Sequence, residues 1–61
     1  MNWTIEQLDA LKMRMEKAVD AGYPEYQMNI HQISMAMEGA YIIEFDDLEN
    51  WANSLKGRTG F

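Results

Sequence analysis

The chain has 61 residues, no cysteine, and ten acidic against five basic side chains, for a formal net charge of −5. That length holds one domain, and the missing thiols exclude disulfides and thiolate metal sites. The acidic balance opposes a phosphate backbone, whose affinity for proteins comes largely from Lys and Arg, and the bases Lys12, Arg14, Lys17, Lys56 and Arg58 form no stripe.

The start of the first helix is signalled by Thr4, an N-cap residue, with Gln7 three positions on to complete a capping box. Trp3 before the cap and Leu8 inside the helix fit a hydrophobic staple. Ile5, Leu8, Leu11, Met15, Ala18 and Val19 recur on one side of a 3.6-residue period, while Glu6, Asp9, Glu16, Lys17 and Asp20 take the other. Gly22 is a left-handed stop and Pro24 follows it, so the pattern predicts a helix over residues 5–21. The short link Gly22-Tyr23-Pro24 makes the next helix an antiparallel neighbour, and Pro24 suits a first helical position.

The second helix is expected over residues 24–43. Tyr26, Ile30, Ile33, Met37 and Ala40 repeat at alternating steps of four and three, a heptad seam that suits packing on the first helix. Met28, Met35 and Ile42 repeat every seven residues about 180° away on the helical wheel. Gly39 is open to two readings: a C′ residue that ends the helix, or an interior residue beside the methionine stripe that lets another backbone approach. Residues 40–45, Ala-Tyr-Ile-Ile-Glu-Phe, are β-prone by propensity. A lone strand has nothing to pair with in so short a chain, so helix or extended linker is expected there. The third helix is expected over residues 46–56, capped by Asp46 with Glu49 three on. Leu48, Trp51, Ala52 and Leu55 form its apolar face, Gly57 stops it, and residues 57–61 form a frayed tail. The fold class is therefore all-α: an antiparallel helical hairpin with a third short helical segment.

No residues stand in a catalytic, cofactor-binding or metal-ligating pattern. His31 is alone and is expected to be exposed or hydrogen-bonded. The acids Glu44, Asp46, Asp47 and Glu49 fit a mimic of a nucleic-acid backbone or a surface for a basic partner, but helix capping and a solvated face explain them first, and acid–base chemistry would need a cleft that short helices rarely enclose. A helix-turn-helix reading fails because the helix after Pro24 carries no Lys or Arg to hold phosphates or read guanine. No basic segment followed by an apolar run opens the chain, and no stretch approaches a membrane span; a cytoplasmic location is expected. Met15 and Met37 fall on the core seams, whereas Met28 and Met35 oppose them.

Taken whole, the chain resembles the small accessory proteins encoded in the early region of lambda-like bacteriophages, between the recombination and excision genes. The resemblance lies in overall character: short, acidic, cysteine-free, opening Met-Asn-Trp-Thr-Ile-Glu-Gln-Leu and carrying Trp-Ala-Asn-Ser-Leu-Lys-Gly near its end. It implies a helical protein made early in infection that tilts the choice between lysis and lysogeny by acting on host factors.

The residues and the resemblance together suggest a non-enzymatic protein–protein interaction module acting on a host protein, with no cofactor. The alternative is a dimeric nucleic-acid-associated transcription regulator, and a small hydrolase ranks last. A core this small rarely supplies more than roughly 3–5 kcal/mol, so self-association is expected as support. The expected interface is a homodimer through Met28, Met35 and Ile42, with Gly39 beside them. Helix three folding over the stripe, or a host protein covering it, are the rival arrangements.

Overall fold

Helix formation begins where the capping residues put it. In the computed structural model, which describes residues 3–59, the Thr4 hydroxyl oxygen accepts from the Gln7 backbone N–H at 3.1 Å, and Gln7 Oε1 accepts from the Thr4 N–H at 2.8 Å. Two backbone donors that a helix start leaves orphaned are thereby satisfied. Helix α1 (Ile5–Asp20) follows; at 1.5 Å per residue it spans about 24 Å, most of the 29 Å long axis. Thr4→Ala is expected to destabilise the protein by about 1 kcal/mol. The check is a lower urea midpoint at an unchanged m-value.

Gly22 ends α1 with φ +108°. Its N–H donates to the Val19 carbonyl at 3.0 Å, and the Tyr23 N–H donates to the Ala18 carbonyl at 3.0 Å. These two bonds make a Schellman motif. Pro24–Tyr26 then form one 3-10 turn before helix α2 (Gln27–Met37). The expected continuous helix from residue 24 is corrected here. Pro24 brings no N–H, and the Gln27 N–H bonds the Pro24 carbonyl in the tighter i→i+3 pattern.

Helix α2 stops at Met37, not at residue 43. Gly39 has φ +78° and its N–H donates to the Ala36 carbonyl at 3.0 Å, while the Ala40 N–H donates to the Met35 carbonyl at 2.9 Å. This is a second Schellman stop, so of the two readings of Gly39 the C′ one holds. Residues 41–44 run without helical structure into helix α3 (Phe45–Thr59). Helix α3 begins one residue before the expected start. The Glu44 carbonyl accepts the Leu48 N–H at 3.2 Å, so Asp46 lies inside the first turn and is not the cap. Nor does Gly57 end the helix, which continues to Thr59. Gly57 has no positive φ, and Arg58 anchors the last turn through an ion pair to Glu25 at 3.3 Å and a stacking position 5.9 Å from the Tyr23 ring centre. The remainder of the expected frayed tail, residues 60–61, lies outside the described residues.

Helices α1 and α2 pack as the antiparallel hairpin, and α3 lies against α1. The core is Leu8, Leu11, Met15 and Ala18 from α1, Tyr26 from the 3-10 turn, Ile33 from α2, and Leu48 and Leu55 from α3. Trp3, Ile30, Met37, Ile43, Trp51 and Ala52 pack around it. The heptad seam of α2 therefore faces α1 as its spacing predicts, except that Ala40 lies past the helix end and is exposed. Ile5, placed by its spacing on the apolar face, is 57% exposed. The Tyr26 hydroxyl lies 3.0 Å from Ser54 Oγ, which gives its polar end a partner while the ring is buried.

Candidate functional site

Single exposed apolar side chains are ordinary on the surface of a small protein. Two of them, Tyr41 and Ile42, stand together over a depression walled by half-buried and core side chains. This depression, of about 240 Å³, is bounded by Trp3, Leu8, Ala36, Tyr41, Ile42, Ile43, Phe45 and Leu48. Three chain features build it. The capping box fixes the direction in which Trp3 enters α1. The left-handed Gly39 turns the chain off α2 so that residues 41–44 cross beside it. The start of α3 then presents Phe45 and Leu48. Gln32 Nε2 donates to the Tyr41 hydroxyl at 3.5 Å, a long and weak bond that ties the crossing segment to α2. Ile42 is 88% exposed at the rim.

The four residues expected to form one interface are placed differently from one another. Met28 is 73% exposed on the first turn of α2. Met35 is half-buried and Gly39 is an exposed helix stop. Only Ile42 borders the depression. A continuous stripe from Met28 to Ile42 needs helical phase through residue 42, and that phase ends at Met37. The expected stripe is corrected accordingly: Ile42 belongs to the crossing segment and not to α2. Helix α3 joins the common core through Leu48 and Leu55 and leaves Met28 open. Sequence reasoning missed Trp3, Tyr41 and Phe45 as members of one surface. The available signal was the β-prone run directly after a helix-stopping glycine.

A second, more open groove of about 560 Å³ lies where the end of α1 meets the start of α2, lined by Glu16, Val19, Asp20, Gln27 and Ile30. Its lining holds two carboxylates but no hydroxyl, imidazole or thiol to act as a nucleophile or shuttle. His31 is exposed. Among the described residues no three His, Asp or Glu side chains gather as a metal site, and no helix is long and apolar enough to cross a membrane.

Charge is distributed unevenly over this architecture. The chain segments that frame the apolar depression, residues 3–10 and 36–50, carry Glu6, Asp9, Glu38, Glu44, Asp46, Asp47 and Glu49 and no Lys or Arg. All seven carboxylates are on exposed residues. All five bases lie elsewhere, in residues 12–17 and 56–58. Compared with known proteins, the chain matches no family model, no curated protein and no solved structure.

Proposed function

We propose that this protein is a non-enzymatic protein–protein interaction module, a small phage regulatory protein that acts on a host factor during lytic or lysogenic development. The observation that carries the interaction reading is the apolar depression bordered by Ile42 and Tyr41, on a protein whose core is already complete without those two side chains. Holding exposed apolar area in water costs roughly 25 cal/mol per Å², which a partner covering Ile42 and Tyr41 would recover. The phage and host parts of the proposal rest on the resemblance of the whole chain to the early-region accessory proteins. Ile42→Glu is expected to leave the helical circular dichroism unchanged, because Ile42 is exposed and outside every helix. Affinity capture should then retain a specific protein on the wild type and lose it on the variant, with the pair reconstituted from purified components. A gel shift at low salt addresses the nucleic-acid alternative: clear DNA binding by the purified protein alone would reverse the ranking.

A homodimer is kept as a second reading because Met28 is 73% exposed on a helix of a marginal domain. Sedimentation equilibrium should then show association at high micromolar concentration that Met28→Glu abolishes. A wild-type monomer there would refute it.

A further inference from the structure

We infer that the depression beside residues 41–44 accepts an extended, basic segment of a partner protein, one that alternates large apolar residues with Lys or Arg and adds as a strand along residues 41–43. The inference rests on the interaction reading above and names the partner's chemistry.

Three observations converge. The first is shape. At about 240 Å³ the depression is smaller than a typical small-molecule pocket, ~300–1,000 Å³. Its walls are apolar side chains with exposed backbone polar groups between them, a mixture that suits the side chains and main chain of a peptide.

The second is the backbone. Among the described residues, Tyr41, Ile42 and Ile43 make no backbone–backbone hydrogen bonds; the helix stop ends at the Ala40 N–H and α3 resumes at the Glu44 carbonyl. Tyr-Ile-Ile is a strand-forming sequence without a strand to pair with. An unpaired segment of this kind can template strand addition, in which main-chain bonds supply affinity and pockets for alternate side chains supply specificity. Residues of the added strand alternate between facing the depression and facing away, so one set is apolar and the other is free to carry charge.

The third is charge. Seven exposed carboxylates stand on residues 3–10 and 36–50, which hold no Lys or Arg; the nearest base in sequence is Lys12, one turn past Leu8. Helix dipoles account for Glu6, Asp46 and Asp47, which sit in first turns. They do not account for Glu38. It caps the C-terminus of α2, where the negative end of the dipole disfavours a carboxylate and the last turn holds no base. This field attracts Lys and Arg and speeds their encounter. It also repels a second copy of the same acidic end, which sets a partner of opposite charge above self-pairing here.

Fluorescence anisotropy with a labelled peptide, Lys-Val-Lys-Phe-Lys-Val-Lys, tests the inference on the intact protein. Binding should weaken with salt and fall by about tenfold or more when alternate amides are N-methylated or when Glu replaces every Lys. The Ile42→Glu variant is the sharpest arm. It makes this end more negative, so general charge attraction predicts tighter binding, whereas seating in the depression predicts about tenfold weaker binding. Gln27→Ala, in the other groove and without a change of charge, should change nothing. Tighter binding by Ile42→Glu, equal binding of the Glu peptide, or indifference to N-methylation would overturn the inference. If no peptide binds while capture of a protein still depends on Ile42, the basic strand is wrong and the interaction reading stands. If Ile42 matters to neither, both fall.

Discussion

Leu55→Ala is expected to leave this protein largely unfolded at 25 °C. Leu55 is fully buried and brings α3 into the core with Leu48. Truncating a buried leucine removes its transfer free energy and leaves a cavity, about 2–5 kcal/mol together. A domain of this size rarely draws more than roughly 3–5 kcal/mol from its core, with no disulfide to add to it. The loss therefore matches the whole margin. Thermal melts followed by far-ultraviolet circular dichroism check this. Leu55→Met, similar in volume, should stay folded with a penalty below about 1.5 kcal/mol. A Leu55→Ala melt close to that of the wild type would mean that α3 is not part of the cooperative unit.

The second large effect is expected at Gly39. A Cβ there would meet nothing within 4 Å, but the residue sits at φ +78°. The penalty for a side chain is therefore in the backbone and not in packing. Left-handed conformation costs an L-residue roughly 1–2 kcal/mol, and β-branched residues tolerate it worst. Gly39→Val should lose at least that much in urea denaturation, and Gly39→Asn, which accepts the left-handed region, clearly less. Equal losses for Val and Asn would show that crowding, not φ, governs the position. Because Gly39 also directs residues 41–44 across the depression, Gly39→Val should weaken peptide binding as well.

The same glycine shows where the fold was legible in the sequence and where it was not. Thr4 with Gln7, and Gly22 with Pro24, carry their structural meaning in residue type and spacing alone, and the first helix and hairpin follow from them. The core could be read from periodicity because Leu11, Met15, Ile33 and Leu55 keep phase with the helices that bury them. Gly39 was ambiguous because the residues after it, Ala40 and Ile42, happen to continue both seven-residue patterns of α2. Periodicity cannot register a helix that has already ended. The start of α3 was read one residue late, since acids at Asp46 and Asp47 favour the first turn as well as the cap. Gly57 looked like a stop, yet the ion pair and ring contact of Arg58 are long-range interactions that local signals do not contain. The candidate site was the least legible part. Trp3, Leu8, Tyr41 and Phe45 come from distant parts of the chain and meet only through the turn at Gly39 and the packing of α3 on α1.

The interaction surface itself is most directly tested by titrating the isotope-labelled protein with the Lys-Val-Lys-Phe-Lys-Val-Lys peptide and following its backbone amides by nuclear magnetic resonance. The largest shifts should fall on residues 41–45, on Leu8 and on the Trp3 indole, with slowed exchange of the Ile42 and Ile43 amides as they gain partners. Val19, Gln27, Met28 and Ile30 should stay in place. Shifts centred on those residues instead, or unprotected amides at Ile42 and Ile43 in the saturated complex, would contradict it.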